Sequence, residues 1–223
     1  MPLKAVLFDL GLTLIGTASF PEIYRRILEK FEIEVSVEDI VRAQKETEGE
    51  FDMSTYDEKH RKEFWTRYND ALLEKLGVTE NRLFVASQID ELWWSFSHVQ
   101  VFPDAEPTLT TLKQRGLKIG LVSNGFKQDL DHVLSELDLE KWFDTIVCID
   151  SCNCSKPDKR IFLYALDALG IQPSEAIFVG DSVLQDYVGA SQVGIKPYLI
   201  DREGKLPNNY DTIKSLTELL TKI

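Results

Sequence analysis

Near its start the chain carries a short unbroken apolar run, Lys4-Ala5-Val6-Leu7-Phe8, that stops on Asp9 and passes straight into Leu10-Gly11-Leu12-Thr13-Leu14. Such a run predicts a strand buried on both faces, the habit of parallel sheets. The pattern then becomes helical. Ile23, Ile27, Leu28 and Phe31 recur at helical spacing, and Ser36 is placed to cap a helix carrying Val37, Ile40 and Val41. A longer helix is predicted from about Asp57 to Leu76, with Phe64, Trp65, Tyr68, Leu72 and Leu76 near one face and Gly77 as its C-cap. Thr79 opens another, with Leu83, Phe84, Leu92, Trp93 and Phe96. Aromatic residues at this spacing read as the core of a compact helical module.

From Phe102 the rhythm changes to strands alternating with helices. The expected elements are a helix over Ala105–Arg115 ending at Gly116, a strand over Lys118–Val122, and a helix over Asp129–Leu137. A strand over Thr145–Ile149, a helix opened by Ser155-Lys156-Pro157-Asp158, and strands over Ala176–Val179 and Pro197–Ile200 follow. A helix over Thr212–Leu220 closes the chain. This alternation predicts an α/β fold, a doubly wound parallel sheet interrupted after its first strand by the helical module.

Composition adds little beyond confirming ordinary globular character: 223 residues, 43% hydrophobic and 28% charged. The net charge of -12 does more, because a nucleic-acid partner needs basic surface. Any anionic ligand would need a placed cation. No run approaches a membrane span and the N-terminus lacks the apolar core of a signal peptide, so no membrane association and a cytoplasmic address are expected. Cys148, Cys152 and Cys154 are an odd set without a fourth metal ligand nearby, and are expected to be ordinary thiols.

The chemistry-bearing residues fall at strand ends. Asp9 follows the first strand, Ser123 and Asn124 follow the next, and Asp181 with Asp186 follow the strand at Ala176–Val179. Lys156 opens the helix between. The carboxyl ends of parallel strands are where open α/β sheets bind ligands. A single Asp after a strand also opens turns; four such placements in order carry more weight. Converging carboxylates repel unless a cation sits among them, and oxygen-only ligands select a hard ion, Mg²⁺ where a phosphate is also present. Ser123 offers a hydroxyl and Lys156 a charge to phosphoryl oxygens.

With these residues in place the sequence resembles the haloacid dehalogenase-like (HAD) hydrolases, mostly Mg²⁺-dependent phosphatases. The family's four motifs match Asp9-Leu10-Gly11-Leu12-Thr13, Ser123-Asn124, Lys156-Pro157, and Gly180-Asp181 with Asp186. The resemblance implies a Rossmann-like core formed by residues 1–16 and 99–223, with residues 17–98 as an inserted α-helical cap. It implies that Asp9 is a nucleophile forming an aspartyl-phosphate, and that Asp9, Asp181 and the Gly11 carbonyl hold Mg²⁺. Ser123, Asn124 and Lys156 would hold the phosphoryl group, and Asp186 would orient Lys156 or a metal-bound water. Cys152 and Cys154 would border the cleft. A small phosphorylated metabolite is the implied partner, acted on by a monomer or homodimer.

The sequence departs from the family at one point. Phosphatases of the family usually carry a second Asp two residues after the nucleophile, as general acid and base, and here that residue is Gly11. Family members with non-acidic residues there include dehalogenases, phosphonate hydrolases and some phosphatases. The dehalogenase branch works without metal and does not need the pair Asp181 and Asp186, so those residues favour phosphoryl chemistry. A dehalogenase attacking carbon at Asp9, and a regulatory protein that kept the fold but lost turnover, remain the alternatives. The cap offers no signature of a particular substrate.

Overall fold

A computed structural model of the chain describes residues 2–51, 60–207 and 209–223. Its main sheet is built around β1 (Ala5–Phe8), whose four side chains are fully buried, as the unbroken apolar run requires. On one side β1 pairs with β4 (Lys118–Val122), which pairs with β5 (Thr145–Val147). On the other it pairs with β6 (Ala176–Gly180), followed by β7 (Lys196–Ile200) and β8 (Thr212–Ile213). The order is therefore β5-β4-β1-β6-β7-β8, every pairing is parallel, and the doubly wound α/β fold is as expected. A separate antiparallel ribbon joins β2 (Ile15–Gly16) to β3 (Gln100–Val101).

The helices of this unit follow from their patterns. In α8 (Lys159–Leu169), Ile161, Phe162, Ala165, Leu166 and Leu169 form one buried stripe. They pack with Ala5, Leu7, Val122, Val147 and Phe178 of the strands. Burying a large apolar side chain stabilises by about 1.5–3 kcal/mol, so the stripe fixes α8 against the strands. The Asp158 carboxylate caps α8 by accepting from the Arg160 amide, and Gly170 ends it at φ 66°. The remaining helices here are α5 (Ala105–Gln114), α6 (Lys127–Glu136), α7 (Ile149–Cys152), α9 (Gly189–Gln192) and α10 (Leu216–Leu219).

The chain divides into two compact units, Met1–Gly16 with Gln100–Ile223, and Thr17–Val99. The second contains α1 (Phe20–Lys30), α2 (Val37–Glu48), α3 (Arg61–Lys75) and α4 (Arg82–Phe96). Ser36 caps α2 as expected, its hydroxyl accepting from the Asp39 amide at 3.0 Å. Ile23, Tyr24, Ile27, Leu28, Ile40, Tyr68, Leu72 and Ile89 are in one shared core. Among the described residues, no helix of either unit is long and apolar enough to cross a membrane.

Three local expectations are corrected, and a fourth is only partly within the described residues. The segment from Thr212 splits into β8 and α10, because β-branched Thr212 and Ile213 gain sheet partners in Leu199 and Ile200. The strand at Thr145 stops at Val147, where the Ser151 hydroxyl takes the Cys148 amide and starts α7. Leu83 and Phe84 are exposed; α4 begins only at Arg82, and its buried face is Val85, Ala86 and Ile89. Part of the helix expected from Asp57 lies outside the described residues, and the described helix begins at Arg61.

Candidate active site

From β1 the chain runs outward to β4 and β5, then returns to β6 on the other side of β1. The crevice between β1 and β6 is the switch point of the sheet, the place where such folds bind ligands. Asp9 stands at the end of β1, its amide donating to the Val179 carbonyl of β6 at 2.9 Å. Asp181 follows β6 directly. Strand register alone therefore brings residues far apart in sequence to one edge.

Lys156 reaches this edge from the turn before α8 and is almost fully buried. Its ammonium bridges two carboxylates, donating to Asp9 Oδ1 at 2.6 Å and Asp186 Oδ1 at 2.7 Å. Asp186, on the helical turn Val183–Val188, accepts at its other oxygen from the Ser182 amide at 2.9 Å. A Cβ at Gly180 would overlap the Asp186 carboxyl, so the glycine ending β6 is what lets that side chain lie there. Asn124 fixes the Lys156 backbone from both sides. Its Oδ1 accepts from the Lys156 amide at 2.6 Å and its Nδ2 donates to the Lys156 carbonyl at 3.0 Å. Asn124, expected at the phosphate, thus also holds the Lys156 backbone through its side chain. Lys156-Pro157 is a cis peptide. Ser123 is buried beside it, and its Oγ accepts from the Gly125 amide at 3.1 Å, which leaves the hydroxyl proton to donate.

Charge is unbalanced here. Asp9, Asp181 and Asp186 bring carboxylate oxygens within 4.8 Å of one another, against the single Lys156 cation. Burial pushes Asp9 up to about 6; Lys156 opposes the shift, while Asp186 and Asp181 reinforce it. Burial, then Asp186, raises Asp181 above the usual carboxylate range. Burial works against the Lys156 charge, but Asp9 and Asp186 outweigh it and hold the ammonium protonated. The donor set suits a hard divalent ion, whose opposite ligand oxygens in Mg²⁺ geometry lie about 4.2 Å apart. Asp9 and Asp186 share the Lys156 ammonium, with Thr13 and Ser182 on their second oxygens, and all three carboxylates remain candidate ligands for such an ion.

Gly11, two residues past Asp9, has open space where a side chain would start, nothing lying within 4 Å. One contributor was missed in the sequence. Thr13 is fully buried and its hydroxyl donates to Asp9 Oδ2 at 3.3 Å. Its signal was a lone hydroxyl inside an apolar segment. The thiol expectation is corrected for two cysteines. Cys152 and Cys154 form a disulfide across Asn153, with Cα atoms 5.3 Å apart, while Cys148 stays free and buried. Asn153 at φ 49° reverses the chain and puts its neighbours within bonding reach.

Fold and site together define a doubly wound α/β protein with a carboxylate–lysine centre at the switch point of its parallel sheet. Comparison with known proteins narrows the class. The family model for haloacid dehalogenase-like hydrolases matches residues 3–194, and the chain belongs to this family. It is 30% identical over 217 residues to the glyceraldehyde 3-phosphate phosphatase of Methanopyrus kandleri, covering 95% of this chain and 91% of that one. Among solved structures it resembles a HAD phosphatase from Thermococcus onnurineus, with TM-score 0.68, 29% identity and coverage of 99% and 97% of the two chains. It also resembles a 2-haloacid dehalogenase from Pseudomonas syringae pv. Tomato DC3000, with TM-score 0.70, 27% identity and coverage of 98% and 97%.

Proposed function

We propose that the protein is a Mg²⁺-dependent phosphatase that passes the phosphoryl group of a small phosphorylated metabolite through Asp9. One observation carries the reading: three carboxylates gather at the switch point around a single lysine. A carbon-attacking hydrolase has no use for that surplus of negative charge. The relative from Methanopyrus kandleri, named for a three-carbon sugar phosphate, agrees with it.

Asp9 attacks phosphorus, the bond to the leaving oxygen breaks, and the electron pair leaves on that oxygen. Lys156 and the Ser123 hydroxyl neutralise the phosphoryl oxygens while Asp186 and Asn124 hold Lys156 in place. Mg²⁺, held by Asp9, Asp181 and the Gly11 carbonyl, would supply charge neutralisation across nucleophile and phosphoryl group. Water then cleaves the aspartyl-phosphate. Gly11 provides neither the proton for the leaving group nor a base for that water. In this reading the Thr17–Val99 unit acts as the cap that selects the leaving group.

The similarity to a 2-haloacid dehalogenase, together with Gly11, supports carbon attack as the second reading. The test is phosphate release from aryl and three-carbon sugar phosphates, with Mg²⁺ and with excess chelator, beside halide release from 2-haloacids. Phosphate release that stops in chelator and returns with Mg²⁺ supports the proposal. Halide release undiminished in chelator overturns it.

A pH dependence follows from Asp9. Its pKa rises from 3.8 in the unfolded chain to about 6, so between those values the folded protein binds the extra proton. The contribution of Asp9 to stability is therefore full below about pH 4 and is lost as pH rises through 6. Asp9→Asn should leave the chelated protein more stable than wild type, by a margin that grows from about pH 4 to pH 6 and is level above. Thermal melts of both proteins across that range measure it, and a margin constant with pH would refute the assignment.

A further inference from the structure

We propose that Arg202 and Asp104 form a clasp that aims the Asp9 carboxylate by holding the backbone of Thr13, which makes Arg202 a positioning residue for the reaction. This inference rests on the function proposed above.

Arg202 follows β7 at the carboxyl edge of the sheet and Asp104 precedes α5, and neither bonds Asp9, Lys156 or Asp186 directly. The guanidinium grips Asp104 with both ends, Nη1 donating to Oδ2 at 2.8 Å and Nη2 to Oδ1 at 3.1 Å. Nη2 also donates to the Thr13 carbonyl at 2.9 Å. The planar group lies over the Phe102 ring, 3.9 Å from its centre, and the Leu216 amide also donates to Asp104 Oδ2, at 2.8 Å. Burial disfavours the Asp104 charge, but Arg202 and the Leu216 amide hold the carboxyl below its usual range, so the pair stays ionised.

The grip falls at a sensitive point. Between Asp9 and Gly16 the chain makes a tight turn, with Leu14 and Ile15 amides both donating to the Leu10 carbonyl and Leu12 at φ 57°. The turn's own bonds leave the Thr13 carbonyl to Arg202, and the Thr13 hydroxyl is the group that contacts Asp9 Oδ2. Fixing one Thr13 oxygen therefore fixes the other. The same clasp adjoins the ribbon through which the chain leaves and re-enters this unit, since Phe102 donates its amide to the Leu14 carbonyl. Stability is a poor explanation for it. Arg202 Nε is buried with no partner among the described residues, and the cost of that orphan donor offsets much of what a half-buried ion pair contributes.

The test is a double-mutant cycle on the full chain with Mg²⁺ and 4-nitrophenyl phosphate, using Arg202→Ala, Thr13→Val and the pair. Thr13→Val keeps the backbone carbonyl and removes the hydroxyl, so each change breaks a different link of one chain. Each single change should lower kcat by about 10- to 100-fold, with KM little altered. The pair should be no slower than the slower single variant, because both act through one contact. Guanidinium ion should restore Arg202→Ala, and Arg202→Lys should not rescue it, since an ammonium cannot make the fork. Mg²⁺ affinity, measured by calorimetry with Mg²⁺ alone, should weaken in both singles and no further in the pair. Losses that multiply in the pair, or an unchanged kcat and Mg²⁺ affinity in folded Arg202→Ala, overturn the clasp. Should Arg202→Ala fail to fold, Asp104→Asn takes its place under the same criteria. A wild type that binds Mg²⁺ but releases no phosphate refutes the phosphatase reading, and the Mg²⁺ cycle still decides the clasp. A wild type that does neither overturns both.

Discussion

Asp9→Asn should abolish phosphate release, with a fall in kcat of about 10³-fold or more, while the protein stays folded. The amide keeps the size of the side chain and its oxygen can still accept from Lys156 or Thr13, but it cannot attack phosphorus. Folding survives because Asp9 is not a net stabiliser near neutral pH: burial and two neighbouring carboxylates oppose its charge, and a single lysine offsets them only in part. The measurement is steady-state phosphate release beside a thermal melt. Near-normal turnover in a folded Asp9→Asn protein would place the chemistry elsewhere. Loss of fold would show that the Asp9–Lys156 contact stabilises more than the shifted carboxyl indicates.

Gly11→Asp should raise turnover, the opposite direction, and selectively. An alkoxide leaving group is a strong base and departs slowly without a proton, whereas an aryl oxide departs unaided. General acid help is worth about 10²–10⁴ in rate, which sets the ceiling on sugar phosphates. On aryl phosphates the first step, departure of the leaving group, should gain little, and any rise in their turnover comes from faster cleavage of the aspartyl-phosphate. The substitution is sterically open, because nothing lies within 4 Å of the position its Cβ would take and the backbone there is not left-handed. Single-turnover release of the leaving group from both substrate classes on both proteins decides it. Equal effects of Gly11→Asp on that first step in the two classes would show that another group already supplies the proton.

Much of the core was legible because parallel strands announce themselves as unbroken apolar runs. Ala5–Phe8 and Lys118–Val122 are strands as read, and the polar residues that follow them lie at the site edge. The end of the chain was misread for the same physical reason that makes sheets hard to call locally. Thr212 and Ile213 become a strand only because Leu199 and Ile200 stand beside them. The helix signal at Leu83 and Phe84 misled on burial, since the buried face of α4 runs through Val85, Ala86 and Ile89 and leaves those two exposed.

Within the site, residue types at strand ends pointed to Asp9, Ser123, Lys156, Asp181 and Asp186. What each bonds to was beyond reach. That Asn124 clamps the Lys156 backbone depends on contacts 32 residues apart, and Arg202 meets Thr13 across 189. The Cys152–Cys154 disulfide was hidden for another reason, since it depends on Asn153 taking a left-handed turn that the sequence only permits.

The account stands most directly on whether a phosphoryl group becomes bonded to Asp9. Without a base at Gly11 the second step is slowed more than the attack of Asp9 on a substrate with a good leaving group, so the aspartyl-phosphate should accumulate. Rapid acid quench after mixing enzyme and Mg²⁺ with an aryl phosphate, followed by intact-mass and peptide analysis, reads this out. The account predicts one phosphoryl group per chain, base-labile, on the peptide containing Asp9, formed with a burst of phenol and shortened in lifetime by Gly11→Asp. Steady phosphate release with no burst and no adduct at Asp9, or an adduct formed equally well in Asp9→Asn, would contradict it.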